Sequence, residues 1–174
     1  MVTANKIRDG DIEAFESLIG NHKTKVFNYC LRIVNNFHLA EELTQDVFVK
    51  VYQNIKTYNW QKGSLSTWIY TIAHNICINS IRNSSQAISL GQAKLLGHLN
   101  SAEDEYLAKL RLTEMNKAIQ SLSLEDRSLL ILKDYFGFKF TEINKIMNLP
   151  IGTLKSRLHG IRTKLRFSVG DDYD

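Results

Sequence analysis

Residues 141–167 read TEINKIMNLPIGTLKSRLHGIRTKLRF. Thr141 is placed to cap a short helix, roughly Glu142 to Met147, which stops at Asn148-Leu149-Pro150. Pro150 fits the first turn of a following helix, because the N–H that proline lacks has no helical partner there. In that following helix Ile151, Leu154, Leu158, Ile161 and Leu165 are spaced three, four, three and four, so one side is apolar throughout. Two helices joined by a tight turn make a helix-turn-helix.

The opposite side of the last helix carries Thr153, Lys155, Ser156, Arg157, His159, Arg162, Lys164 and Arg166, and no acid occurs between Ile151 and Phe167. Cations on such a face release counterions from phosphates, and side chains near the helix start can reach base edges in the major groove. The plainer alternative is a solvated helix whose last cations complement its dipole. The tight turn and the unbroken positive face occur together, and that favours duplex DNA.

Moving back along the chain, Leu129, Leu130, Leu132 and Phe136 supply a buried face, Gly137 sits where a left-handed C-cap is expected, and Ser123 with Asp126 forms an S-x-x-D start signal. Helical periodicity begins near Glu105, with Leu107, Leu110, Leu112, Met115 and Ile119. Before it, residues 83–104 read NSSQAISLGQAKLLGHLNSAED, rich in serine, glycine and small polar residues and without a sustained stripe. A flexible linker is expected there.

The first half is helical as well. Asp11 can cap a helix carrying Ile12, Phe15, Leu18 and Ile19; a second run aligns Val26, Cys30 and Ile33, and Asn35-Asn36 ends it. From Ala40 to about Tyr58 the apolar positions Ala40, Leu43, Val47, Val51 and Ile55 recur at steps of three or four, leaving Glu41, Glu42, Gln45 and Asp46 on the polar side. After the loop NWQKGSLS, Ser66 can cap a helix from about Thr67 to Arg82 with Leu65, Ile69, Ile72 and Ile76 on one stripe. The expected fold is therefore all-α: two small helical domains, 1–83 and 105–174, joined by a linker at 84–104, the second holding the helix-turn-helix.

Tyr58, Trp60, Trp68 and Tyr70 bracket a loop containing Lys62, and Asn75 and Asn79 lie one turn apart on the helix that follows. Aromatic faces and amide edges suit unpaired bases. Ordinary packing of the two tryptophans is the alternative, and periodicity does not choose between them.

Bulk properties agree with a DNA-directed reading but do not make it. The chain of 174 residues is 44% hydrophobic and 23% charged, with a net charge of only +4, so any DNA site must come from local clustering. Cys30 and Cys77 stand apart, with no CxxC pair and no histidine at ligand spacing, so buried reduced thiols are expected and no metal or cofactor is. The five histidines, His22, His38, His74, His98 and His159, show no HExxH, and GxSxG and P-loop spacings are absent too, so no enzyme is indicated. No stretch approaches the ~20 apolar residues of a membrane span, and a cytoplasmic protein without direct membrane insertion is expected.

These blocks resemble a family. AEELTQDVFVKVYQNI followed by STWIYTIAHNICINSIR resembles region two of the extracytoplasmic-function (ECF) sigma factors of bacterial RNA polymerase, and LSLEDRSLLILKDYFGFKFTEINKIMNLPIGTLKSRLHGIRTKLR resembles region four. With DGDIEAFESLIGNHKTKVFNYCLRIVNN, the likeness covers nearly all the chain outside the linker and the short acidic tail. It implies that the helix bearing Glu42, Gln45, Asp46 and Lys50 docks on core RNA polymerase, a face that would otherwise read as merely solvated. It implies that the loop with Trp60, Lys62 and Ser64, together with Trp68, Asn75 and Asn79, captures an extruded base of the melted minus-ten element. Region four would place Thr153, Lys155, Ser156, Arg157, His159 and Arg162 on the duplex minus-thirty-five element, with Thr141 and Glu142 in support. The resemblance also implies initiation of transcription in a stress or envelope-signal response, and an anti-sigma factor as off-switch. Two residues depart from the pattern: Gly160 stands where the family often has a basic residue, and Asn79 where many members have aspartate.

A second class stays open on residues alone: a helix-turn-helix regulator with a helical sensor or dimerisation domain. The aromatic loop, the paired asparagines and the acidic helix in the first half are what such a regulator has no need of.

Overall fold

The computed structural model describes residues 6–7, 9–87 and 114–169, and among them every regular element is helical. Helix α1 (Ile12–Val34) is one unbroken helix, so the two apolar runs read separately belong to a single element. Asp11 caps it by accepting from the Ala14 N–H at 2.9 Å, a bond worth about 1 kcal/mol. Asn35 ends it in the left-handed conformation (φ 51°), which asparagine tolerates better than most residues. Asn36 then caps α2 (Phe37–Asn54) through the Leu39 N–H at 3.0 Å. A 3-10 turn, Ile55–Thr57, leads into the loop before α3 (Leu65–Ala87).

The start of α3 differs from expectation. Ser64, not Ser66, is the cap, its hydroxyl accepting from the Thr67 N–H at 3.1 Å. The chain turns one residue pair earlier because Tyr58 donates its hydroxyl to the Gly63 carbonyl at 3.1 Å and closes the loop. Helix α3 runs to Ala87, and the remainder of the expected linker, 88–104, lies outside the described residues, as do Leu107, Leu110 and Leu112.

The second half resumes with α4 (114–120) and α5 (Leu124–Leu130), the latter capped by Ser123 through the Asp126 N–H at 3.1 Å. A π-helical turn, Ile131–Tyr135, continues it, and Gly137 (φ 73°) makes the left-handed exit. Helix α6 spans Phe140–Met147 with Lys139 at its cap position, so Thr141 sits inside the first turn and caps nothing. The orphan N–H of Lys139 is instead met by the Glu142 carboxylate at 2.9 Å. Asn148 (φ 53°) forms the turn, braced by Asn144 Nδ2 donating to the Leu149 carbonyl at 2.8 Å. Helix α7 is Ile151–Val169, and Pro150 stands one position before it, its carbonyl accepting from the Leu154 N–H at 3.0 Å.

Helices α1, α2 and α3 pack together, while α5, α6 and α7 pack together in turn. The two groups share one continuous apolar core. Its join is aromatic: Tyr70 on α3 meets Phe138 at 4.8 Å and Phe136 at 5.3 Å, edge to face. Such pairs add about 0.5–1.5 kcal/mol each beyond the area they bury. Cys30 and Cys77 are buried within this core as free thiols.

Candidate nucleic-acid interface

The loop between the 3-10 turn and α3 builds a cavity of about 380 Å³, within the range of small-ligand pockets. Tyr58 and Trp68 form an aromatic wall, their rings 5.4 Å apart and tilted. Lys62, Ser64 and Thr71 also line it, as does Lys145 of α6. Asn59 holds the loop by accepting from the Gln61 N–H at 2.9 Å, and Trp60 projects outward with 54% of its surface exposed. Ser64, Trp68, Thr71, Asn75 and Asn79 recur at steps of four, three, four and four, so they share one face of α3. Both asparagines are exposed on that face beyond the cavity. Of the residues expected to meet a single strand, Lys62, Ser64 and Trp68 line the cavity, Asn75 and Asn79 lie on the Trp68 face of α3 beyond it, and Trp60 is outside the lining.

Helix α2 presents Glu42, Gln45, Asp46 and Lys50, all exposed, while Leu43, Val47 and Val51 are buried. Sequence reading missed its neighbours. Val49 and Tyr52 are about half exposed, and with Phe15, Ile19 and Phe48 they line a groove of about 410 Å³ between α1 and α2. The signal was available, since both fall off the buried stripe of α2 and yet are apolar.

In the helix-turn-helix, Ile143, Ile146 and Met147 of α6 and Leu154, Leu158, Ile161 and Leu165 of α7 are buried. Thr153, Lys155, Ser156 and His159 are exposed along one flank of α7. The positive face is less free than the sequence suggested, because two of its cations pair with acids from the preceding elements. Arg157 Nε lies 3.0 Å from an Asp126 oxygen, and Arg162 donates twice to Asp134, at 2.6 and 3.2 Å. Both acids lie outside the stretch that was read for charge. At Gly160 nothing lies within 4 Å of where a Cβ would stand, so a side chain would fit at that departure from the family pattern.

Sequence reading also missed a buried polar group. Tyr29, His74 and Ser128 come from α1, α3 and α5, and their polar atoms are mutually 3.1, 2.8 and 2.9 Å apart. Burial lowers the His74 pKa to about 4, with Glu125 opposing and Arg82 adding to the shift, so the imidazole is neutral. Burial drives the Tyr29 phenol well above its ordinary range. Beside them Arg127, buried, donates to the Ile33 carbonyl at 2.7 Å and to Gln120 O, and desolvation lowers its pKa.

Comparison with known proteins identifies this arrangement. Residues 18–86 match the family model Sigma-70 region 2, and residues 112–165 match Sigma-70, region 4. The chain is also 31% identical over 177 aligned positions to the ECF RNA polymerase sigma factor SigW of Bacillus subtilis, covering 95% of this chain and 94% of that one. The chain belongs to the ECF sigma factor family. It is 26% identical to the ECF sigma factor SigE of Mycolicibacterium smegmatis, covering 88% of this chain and 60% of that protein.

Solved structures show the same sigma-factor fold. One is the sigma factor RpoE in complex with the anti-sigma factor NepR from Bartonella quintana, with TM-score 0.72, 21% identity, and coverage of 91% of this chain and 98% of that chain. Another is CnrH in complex with the cytosolic domain of CnrY, with TM-score 0.74, 16% identity, and coverage of 99% and 97%. As a sigma factor, the chain directs RNA polymerase to promoters. A regulator built from a sensor domain and a helix-turn-helix is thereby set aside. Among the described residues no helix is long and apolar enough to cross a membrane, and no group of metal-ligating side chains is assembled.

Proposed function

We propose that the three faces divide the work of initiation. In this reading 1–83 binds core RNA polymerase and the melted minus-ten element, 84–104 connects, and 105–174 binds the duplex minus-thirty-five element. The exposed Glu42, Gln45, Asp46 and Lys50 of α2 form the polar part of the docking face, and the groove walled by Phe48, Val49 and Tyr52 forms its apolar part. Burial of half-exposed Val49 and Tyr52 against a partner supplies affinity, while the charges set orientation.

The observation that carries the reading is the aromatic-walled cavity continued by Asn75 and Asn79 on one helix face. An extruded base loses its stacking and pairing, a cost of a few kcal/mol, which stacking on Trp68 and hydrogen bonds from an asparagine amide offset. On α7, Lys155 and His159 are exposed for groove and phosphate contacts with Thr153 at the helix start, Ser156 is exposed with its hydroxyl donating to the Thr153 carbonyl at 3.1 Å, and Arg157 and Arg162 are held in place by Asp126 and Asp134 before DNA arrives. Of the two supporting residues on α6, Thr141 is exposed, and Glu142 serves the helix cap. The protein acts in the cytoplasm, carries out no catalysis itself, responds to a stress or envelope signal and is held off by an anti-sigma factor.

The test is gel filtration of the purified chain with bacterial core RNA polymerase, followed by permanganate probing of a promoter fragment. Co-elution with reactive thymines confined to one short tract supports the division of work. Co-elution without strand opening would remove the base-capture role, and absence of co-elution would remove the docking role.

A further inference from the structure

Arg157 and Arg162 leave α7 on opposite sides of its buried line. They stand roughly 140° apart around a helix of 3.6 residues per turn, with Leu154, Leu158 and Ile161 on the arc between them. Helix α5 packs against α7 and carries an acid for each side: Asp126 in its first turn, and Asp134 in the π-helical turn that continues it. Arg157 donates through Nε to Asp126 at 3.0 Å, and Arg162 donates to Asp134 from Nε at 3.2 Å and from Nη2 at 2.6 Å. A helix seated in the major groove has a phosphate backbone along each side, so the two arginines are set one to each strand.

Stability does not account for the Asp134 pair. Its arginine is 54% exposed and its carboxylate 36%, and ion pairs this open to water add little to a fold. The geometry, by contrast, is restrictive. The Nε and Nη2 edge of the guanidinium is committed to the carboxylate, which leaves the Nη1 donors facing away from the acid.

Charge follows the same division. Toward a phosphate not yet in contact, the adjacent Asp134 largely cancels the charge of Arg162, so the pair adds little to the sequence-independent attraction of a cationic protein for any duplex. In contact the outcome differs, because the Nη1 donors reach a phosphate oxygen once α7 sits in the register that its base contacts impose. The side-chain freedom that an unpaired arginine gives up on docking is already lost.

We propose that Asp126 and Asp134 are specificity-determining positioning residues, which withhold Arg157 and Arg162 from indiscriminate phosphate binding and present them to the two strands of the minus-thirty-five element in the docked register. This role rests on the duplex-binding reading of α7.

Holoenzyme reconstituted from core polymerase and the full chain is titrated with two duplex fragments of a promoter that it selects, one native and one with the minus-thirty-five element scrambled. Asp134→Ala is expected to lower the ratio of native to scrambled affinity about fivefold, with affinity for the scrambled fragment equal to or above wild type. Asp134→Glu keeps the carboxylate and should keep most of the ratio. Because the acid acts through Arg162, Asp134→Ala should add no further loss of ratio in an Arg162→Ala background. Asp126→Ala is expected to act likewise through Arg157. A fall by one factor on both fragments, with a lower thermal midpoint, would make the acids braces of the fold, and a rise by one factor on both would make them screening charges. Either result, or an unchanged ratio, would overturn the proposal. If wild-type holoenzyme binds the two fragments equally, the minus-thirty-five reading of α7 fails first, and the positioning role with it.

Discussion

His74 Nδ1 lies 2.9 Å from Ser128 Oγ, joining a helix of the amino-terminal half to one of the carboxy-terminal half. Burial, the largest cause, disfavours the charged ring and holds its pKa near 4 against an ordinary 6.5, so the imidazole in this bond is neutral above that pH. The released or unfolded histidine takes up a proton below about 6.5, so the native packing keeps its full stability above that pH and loses it as pH falls toward 4. Over that window the loss is on the order of 3 kcal/mol. Glu125, whose pKa is lowered by backbone and Arg82 hydrogen bonds, adds to the loss at the acid end. Thermal midpoints from pH 7 to pH 4 are expected to fall, and His74→Gln to flatten the fall. His22, lowered by burial and Lys25, accounts for part of what remains. A wild-type midpoint constant across the window would show that His74 stays solvated.

Docking is tested at Asp46, an exposed position of α2. Asp46→Arg reverses one charge without touching the buried stripe of Leu43, Val47 and Val51. Core polymerase pull-down is expected to drop severalfold, a loss of about 1–2 kcal/mol, while far-ultraviolet circular dichroism is unchanged. Binding equal to wild type would remove Asp46 from the interface.

Strand capture is tested at Asn75. Asn75→Ala is expected to retain core binding and the closed complex on duplex promoter while losing permanganate reactivity. A template already unpaired across the minus-ten element should recover part of the activity, because the unstacking cost has been met in advance. If Asn75 only braced its own helix, thermal stability would drop and both templates would suffer equally.

Lys155 offers the cleaner probe of the duplex contact, because Arg157 is tied to Asp126. Lys155→Ala is expected to weaken minus-thirty-five binding uniformly across sequences and to lower the slope of log affinity against log salt by about one, the signature of one lost phosphate contact. A relaxed preference at a single base pair with an unaltered slope would assign Lys155 to a base instead.

Local structure was legible wherever one side chain or one periodicity decides it. Asp11, Ser123, Gly137 and Asn35 were read as helix boundaries, and they are. Thr141 and Ser66 misled, because a hydroxyl near a helix start says that a cap is available without fixing which of several adjacent residues takes extended dihedrals. At α6 the decision fell to Glu142, which reaches back to the Lys139 N–H, and at α3 to Tyr58, which closes the loop on Gly63.

What could not be read was anything joining the halves. Tyr29, His74 and Ser128 lie 45 and 54 residues apart in turn, and no periodicity relates them. Neither a lone histidine between Ile72 and Ile76 nor a serine ahead of Leu129 and Leu130 carries a local pattern that points to a distant partner. The pairing of Arg157 with Asp126, 31 residues away, was hidden for the same reason, so the charge face looked freer than it is. The apolar rim at Val49 and Tyr52 was visible in principle, since both stand off the buried stripe of α2.

The most direct measurement of whether this chain directs polymerase is reconstituted transcription with core enzyme and a library of genomic fragments. Addition of the chain is expected to yield transcripts from a small set of start sites that share two short upstream elements, and core alone should yield none of them. A chain that binds core and duplex DNA yet adds no start site would contradict the account.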